Sequence, residues 1–517
     1  MTKEKVAGPD ALPRLLRVAR RLTQQKDVPR LLETLLDEAQ LLCHADNGVV
    51  WLYADGHGQP RLKCLRRAGG ARQGLLHEAQ EWTLALASAS PDCLPMQCFQ
   101  RDMPVEAALS MATACELDRR LAASLVAEPR NLYLLPLHNH EGTVIGVLQL
   151  INARQHELEP AGAMLLRSLV AYAGIALNNL SQVEDLKALL DAFIKVLAQA
   201  IDAKSSHTSA HCQRVPVLTE LLAQAACDDG DTFADFSLDE DGWYELHVAA
   251  WLHDCGKLAT PDSVLDKSTK LHTLHDRISE VASRFAGLRA QAGFDYEKQC
   301  LHDPSGEPRY RQQLETRIEA ITDDLTFLER INRGGETMAQ DDQRRVREIA
   351  ARSWVDAWGQ RRPLLTDDEV ENLCIVRGTL TEQERQVING HMDVTLDMLE
   401  SLPFPRKLRR VPEYAGGHHE KMDGSGFPRG LTREQMSIPA RIMAIADVFE
   451  ALTSKERPYK MPLRLSEALA IMQRMRDNQH LDPDLYQLFI RSGVWRQYGQ
   501  QFLDPQQRDV DDAGAFL

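Results

Sequence analysis

Two adjacent histidines, His418 and His419, stand in the stretch AGGHHEKMDGSGFPRG at residues 415–430, beside Glu420, Asp423 and a glycine- and proline-rich turn. Neither a packed core nor an ordinary turn requires that mixture. The zinc-protease pattern H-E-x-x-H does not describe it, because Asp423 occupies the place of the second histidine. The two imidazoles therefore need partners from elsewhere, and the chain must fold so as to bring those partners to them.

The second half of the chain reads as mostly helical and contains such partners. In AAWLHDCGKLATP an apolar helical run over 246–252 ends in His253 and Asp254, followed by Gly256 and Lys257. KSSHTSAHCQRVPVL places His207 and His211 four residues apart, on one face if the helix has begun there. LTEQERQVINGHMDVTLDMLE offers His391 at the end of a helical turn, and IPARIMAIADVFEALTSKERPYK offers Asp447 within an apolar helix. Any one of these reads equally well as a core or surface residue. Together, His211, His253, His391, His418 and His419 with Asp254 and Asp447 suit a pair of divalent transition ions. The ions would share a carboxylate at a spacing of ~3.5–4 Å.

A chain of 517 residues is expected to form two to four domains. Its net charge of −15 argues against a nucleic-acid partner, whose phosphates need lysine and arginine, so an anionic small substrate needs local positive charge that metal could supply. No apolar run approaches the ~20 residues of a membrane span, and the start MTKEKVAGPDALPRLL lacks the apolar segment of a signal peptide, so a cytoplasmic location without a membrane span is expected. The ten cysteines form no C-x-x-C pair and read as reduced thiols rather than a disulfide framework or a zinc knuckle.

Toward the N-terminus, apolar periodicity predicts two helices between 14 and 45. NGVVWLYA and RLKCLRRA have strand-like content, and NLYLLPLHNHEGTVIGVLQLIN reads as two strands about a turn at Glu141 and Gly142. This α+β pattern resembles a GAF sensor domain over 14–180, most strongly in LLPLHNHEGTVIGVLQLINA. The segment SPDCLPMQCFQRDMPVEAALSMATACELDRR falls where a GAF ligand pocket would be built, and it carries no ligand signature, including that of cyclic-nucleotide-binding GAF domains. A nearly continuous helix follows. Leu186, Leu189, Leu190, Phe193, Ile194, Leu197 and Ile201 form one stripe, so residues 181–201 are expected to connect sensor and output and to pair in a homodimer. Signalling proteins are a further class of partner.

The order His, His-Asp-x-Gly-Lys, His, His-His, Asp resembles the HD-GYP subgroup of the HD phosphohydrolase superfamily, over about 195–270 and 375–490. HDCGK, HHEKMDGSGFP and AIADVFEALTSKERPYK carry the likeness. The resemblance implies an all-α metal-dependent phosphohydrolase domain at 202–490 that cleaves cyclic di-GMP with two iron or manganese ions, mainly to linear pGpG and only secondarily to GMP. His211, His253, Asp254 and Asp447 would hold one ion and His391, His418 and His419 the other, with Asp254 bridging. Asp254 and Lys257 are the catalytic candidates. Lys257, Asp423, Gly426, Phe427, Pro428, Arg457 and Lys460 are the substrate-binding ones. Where relatives with three metals carry a glutamate, this chain has His207, so a third ion is expected only at high metal concentration.

Two features depart from the family pattern. Residues 268–372 are an insertion, with the coiled-coil seam Leu314, Ile318, Ile321, Leu325 and Leu328 and a second stripe at Ile278, Val281, Phe285 and Leu288, predicting a helical hairpin. Phe427 replaces the tyrosine of GYP and lacks its hydroxyl, which removes one hydrogen bond worth about 0.5–1.5 kcal/mol. Two other activities fit the same residues: a module that binds cyclic di-GMP without cleaving it, and a phosphohydrolase for another nucleotide.

Overall fold

The computed structural model describes residues 11–25, 27–56, 59–67, 83–85, 93–110, 114–154, 160–204, 211–335, 337–455 and 462–517. They fall into two compact units, Met1–Leu190 and Asp191–Leu517.

The first unit is α+β. Its elements are α1 (Ala11–Thr23), α2 (Val28–Cys43), β1 (Asn47–Gly56), β2 (Gln59–Arg67), β3 (Thr83–Ala85), α3 (Leu94–Arg101), β4 (Val105–Ala108), α4 (Glu116–Leu125), β5 (Asn131–His138), β6 (Val144–Ile151) and the start of α5 (Pro160–Lys204). The strands form one antiparallel sheet in the order β3-β2-β1-β6-β5-β4. The alternation along β1 decides which core each residue joins. Val50 faces the core shared with Leu31, Leu35 and Leu166 of α2 and α5, whereas Val49 and Trp51 face the core of Leu94, Met96 and Leu121. Trp51 buries its indole N–H against the Gln149 Oε1 at 2.7 Å, so burial leaves that donor satisfied. The predicted turn between β5 and β6 places Gly142 at φ 79°, a conformation that glycine adopts without strain.

The helix α5 runs through the boundary between the units. Its first half contributes Leu165, Leu166, Leu169 and Leu177 to the first core. Gly162–Lys204 has the length and apolar composition of a membrane-crossing helix, which the sequence reading did not anticipate. However, 44% of its most apolar window is buried, and core helices pass the same test. The expected single stripe divides in two. Ile194 and Ile201 are buried, whereas Leu186, Leu189, Phe193 and Leu197 are exposed. The seven positions, spread over residues 186–201, cover more of the helix surface than the buried face takes up.

The second unit is helical apart from one ribbon. It comprises α6 (His211–Asp228), α7 (Glu240–Leu252), α8 (Asp262–Leu265), α9 (Ile278–His302), α10 (Glu307–Asn332), α11 (Gln340–Ala350), β7 (Ser353–Val355), β8 (Arg361–Pro363), α12 (Asp367–Leu373), α13 (Glu382–Asn389), α14 (His391–Ser401), α15 (Val411–Gly416), α16 (Ile438–Thr453), α17 (Leu465–Asp477), α18 (Pro483–Arg491) and α19 (Val494–Phe502). The insertion is the predicted hairpin, α9 against α10, extended by α11 and the β7–β8 ribbon. Its core takes Val281, Phe285, Ile321 and Leu328 from the predicted stripes, whereas Leu314 and Ile318 stay half-buried. Arg284 clasps Glu369 through two hydrogen bonds of 2.7 and 2.8 Å and so fastens α9 to the start of α12.

The turn after α7 is pressed against the start of α14. The Gly256 N–H donates to Thr395 Oγ1 at 2.9 Å, and a Cβ on Gly256 would lie 2.0 Å from the His391 carbonyl oxygen and 2.6 Å from the Thr395 nitrogen. Gly256→Ala is therefore expected to lower stability by about 1–3 kcal/mol through overpacking, read as a lower denaturant midpoint for the second unit. An unchanged midpoint would contradict this packing.

Candidate metal centre

Five helical elements deliver the seven candidate ligands. His211 is the first residue of α6, His253 and Asp254 follow the C-terminus of α7, and His391 begins α14 rather than ending the helix before it. His418 and His419 follow α15, and Asp447 lies inside α16. Each helix is anchored by its apolar face, as with Leu246 and Val248 on α7 and Ile442, Met443 and Ile445 on α16, so the polar residues are left facing a common interior point.

Asp254 stands at the centre. Its Oδ2 lies 3.4 Å from His211 Nε2 and 3.3 Å from His253 Nε2, and its Oδ1 lies 3.3 Å from His391 Nε2 and 3.9 Å from His418 Nε2. Asp447 Oδ1 joins the first set at 3.2 Å from His211 Nε2. Two ligand groups result, His211, His253, Asp254 and Asp447 on one side and Asp254, His391, His418 and His419 on the other. Within each group the ligand atoms lie within 4.8 Å of one another. The one carboxylate belongs to both.

The donor atoms fit bound cations. His211 Nε2, His253 Nε2, His391 Nε2, His418 Nε2 and Asp254 Oδ1 are all buried without a hydrogen-bond partner. An unpaired buried polar atom costs about 1–3 kcal/mol, so five around one cavity would be a heavy burden without a ligand. The opposite ring nitrogens explain their orientation. His253 Nδ1 donates to the Ala250 carbonyl at 2.8 Å, His391 Nδ1 to Ile388 at 2.5 Å and His418 Nδ1 to Ala415 at 2.7 Å. A carbonyl only accepts, so each Nδ1 carries the proton and each Nε2 turns its lone pair inward.

His211 is held differently, since its Nδ1 meets Glu450 Oε2, and Glu450 is itself bound by Arg214 Nε at 2.7 Å. Glu450, one turn beyond Asp447 and buried, was not singled out in the sequence. Its spacing of three from Asp447 within an apolar helix was the available signal.

Charge in the site is set by burial and proximity. Burial resists ionisation of Asp254, yet Lys257 and the neighbouring imidazoles hold its carboxyl well below the usual carboxylate range. Burial pushes His419 down to about 4 and His418 well below the ordinary imidazole value, so both are neutral at pH 7, the form that ligates metal. Lys257 Nζ lies 2.5 Å from Asp254 Oδ2. Burial opposes its charge, but Asp254 and Asp447 keep it protonated.

The glycine loop stands beside the second ligand group. Phe427 stacks on His419 with centroids 4.9 Å apart. Gly426 is packed so closely that a Cβ would meet the Lys421 nitrogen at 2.4 Å, and the peptide between Phe427 and Pro428 is cis. The fully buried Glu420, also missed in the sequence, accepts from the Arg429 and Leu431 N–H groups at 2.7 and 2.9 Å and closes the loop. Asp423 is exposed and accepts from the Ser425 N–H at 2.9 Å, which shapes the turn and leaves it outside both ligand groups. His207, Arg457 and Lys460 lie outside the described residues.

With this geometry in place, comparison with known proteins is informative. The GAF domain family matches residues 27–177 and the HD domain family residues 366–485. A 3'3'-cGAMP-specific phosphodiesterase 3 of Vibrio cholerae is 36% identical over 147 residues, 27% of this chain and 30% of that protein. A probable cyclic di-GMP phosphodiesterase of the same organism is 31% identical over 181 residues, 34% of this chain and 39% of that protein. A third, 3'3'-cGAMP-specific phosphodiesterase 2, is 23% identical over 337 residues, 65% of this chain and 41% of that protein. The chain thus spans well under half the length of each of these relatives.

Removing the charge that orients His211 should weaken metal binding without emptying the site. Glu450→Gln is expected to reduce metal affinity about 10–100-fold in a chelator competition titration. Unchanged affinity would mean that Glu450 serves packing alone.

Proposed function

Because the chain carries a GAF domain at 27–177 and an HD domain at 366–485, we propose that it is a metal-dependent phosphodiesterase for cyclic dinucleotides, controlled by the GAF domain. The observation that carries this reading is the division of Asp254, with one oxygen toward His211 and His253 and the other toward His391 and His418. Imidazole and carboxylate donors of this kind suit iron or manganese. Two such ions supply Lewis acidity and an activated water for in-line attack on a phosphodiester.

The protein's own groups supply the rest. His211, His253, Asp254 and Asp447 would hold one ion and Asp254, His391, His418 and His419 the other, with Asp254 shared between them. Lys257 adds a half-buried positive charge beside Asp254, where it can meet a non-bridging phosphate oxygen and offset the charge that develops there. The Phe427 ring, stacked on His419, offers a stacking face for a purine, with Gly426 and Pro428 as further substrate contacts. Arg457 and Lys460 are proposed as further phosphate contacts. The expected substrate is cyclic di-GMP, cleaved to pGpG. The names of two of the relatives above favour 3'3'-cGAMP as a second reading.

On α5, Leu186, Leu189, Phe193 and Val196 are exposed at alternating three- and four-residue steps, which supports pairing with a second copy as the route between sensor and output.

The test is hydrolysis by purified protein, loaded anaerobically with iron(II) or with manganese, of a panel of cyclic dinucleotides and linear nucleotides. Cyclic di-GMP or 3'3'-cGAMP should be cleaved, and turnover confined to non-cyclic nucleotides would overturn the substrate class. Asp254→Ala should abolish turnover and metal retention while circular dichroism stays unchanged, and full activity in that variant would contradict a shared bridge. Phe427→Tyr should change the rate by less than about tenfold, consistent with one hydrogen bond of about 0.5–1.5 kcal/mol. A thousandfold change would assign the decisive role to the hydroxyl.

A further inference from the structure

A second cluster of metal-ligating side chains lies in the GAF domain, in the segment where the sequence carried no ligand signature. Cys93, Cys115 and Asp118 place two thiol sulfurs and a carboxylate oxygen within 4.8 Å of one another. Cys93 and Asp118 are buried, and Cys115 is partly open to solvent. Cys93 precedes α3 and Cys115 precedes α4, so both thiols stand at N-caps, where serine, threonine, aspartate or asparagine is the usual choice because a thiol accepts hydrogen bonds poorly. Cys115 and Asp118 form a capping box at the start of α4, and Asp118 also serves the start of α3. Its Oδ2 accepts from the Leu94 N–H at 3.3 Å and from the Cys115 N–H at 3.1 Å, which fastens the starts of the two helices together. Its Oδ1 is left toward the Cys93 sulfur, 4.0 Å away.

From this arrangement we infer that the GAF domain holds a thiophilic divalent cation, of the zinc or ferrous class, on Cys93, Cys115 and Asp118. Zinc–sulfur bonds of ~2.3 Å at tetrahedral angles separate two sulfurs by roughly 3.8 Å, so the three donors need only a small closure to reach bonding distance. The carboxylate is already oriented by two backbone N–H groups, as ligating carboxylates commonly are. Charge also selects the ion. Two thiolates and one carboxylate would carry three negative charges; burial raises the Asp118 carboxyl above the usual carboxylate range, and the neighbouring Arg119 acts in the opposite sense. A divalent cation together with Arg119 brings the site to neutrality, whereas a monovalent ion leaves a net negative charge in a desolvated place. Three protein donors leave one position of a tetrahedral ion for an external ligand. This inference is independent of the dinuclear centre, whose candidate ligands are imidazole and carboxylate.

The test uses the reduced, chelator-stripped full-length protein titrated with cobalt(II). Thiolate ligation gives a near-ultraviolet sulfur-to-cobalt charge-transfer band that imidazole and carboxylate sites lack. The band should reach the intensity of one thiolate-bound cobalt per chain by the time the thiol site and the two sites of the helical unit are filled, bleach on zinc addition and vanish in Cys93→Ser/Cys115→Ser with circular dichroism unchanged. A second measurement needs no variant: zinc should protect Cys93 and Cys115 of the wild-type chain from alkylation, read by peptide mass spectrometry. Absence of the band, its persistence in the double variant, or alkylation of both cysteines at the same rate with and without zinc would overturn the proposal. Recovery of Cys93 and Cys115 joined as a disulfide that zinc does not prevent would also overturn it, in favour of a thiol pair that responds to oxidation.

Discussion

A single ionised carboxylate, buried at the end of a helix with its two oxygens turned toward different histidines, sets the requirements that the helical unit meets. Asp254 has given up its hydration, and an uncompensated charge in that position would cost several kcal/mol. Lys257 offsets part of this, and the orphaned Nε2 and Oδ1 atoms around it mark where cations would offset the rest. The need to present His211, His253, His391, His418, His419 and Asp447 to that one point explains why helices far apart in sequence converge, and why the turn at Gly256 allows no side chain.

The orientation of the ligands is built into the helices that carry them. His253, His391 and His418 each give the Nδ1 proton to a backbone carbonyl three residues earlier, so ring direction follows from local chain geometry and needs no further side chain. His211 is instead oriented by a side chain from another helix, its Nδ1 meeting Glu450, which Arg214 holds in turn. The glycine loop follows the same logic, since Glu420 ties its backbone and Phe427 rests on the ligand His419.

The residues that could be read from the sequence were those whose type is unusual for their surroundings. Histidine next to aspartate at the end of an apolar run, a histidine pair before glycines and an aspartate inside an apolar helix all announce themselves, and the fold brings these together. The strands and helices of the GAF domain were likewise visible in their periodicity. Glu450 and Glu420 were not, because a single glutamate near a helix or turn is common and its burial emerges only from packing. The split of the α5 stripe depends on which neighbours cover the helix, and the meeting of Cys93, Cys115 and Asp118 depends on two short helices starting side by side. Neither leaves a spacing that one segment could reveal. Asp423, expected from the motif to contact substrate, also accepts from the Ser425 N–H and so shapes the turn, which its motif position alone does not reveal.

X-ray absorption at the manganese edge of the fully manganese-loaded protein tests the shared carboxylate most directly. A pair of ions joined by Asp254 predicts a first shell of nitrogen and oxygen with a metal–metal contribution at ~3.5–4 Å. A fully loaded protein whose spectrum shows that first shell and no neighbouring metal would contradict the account.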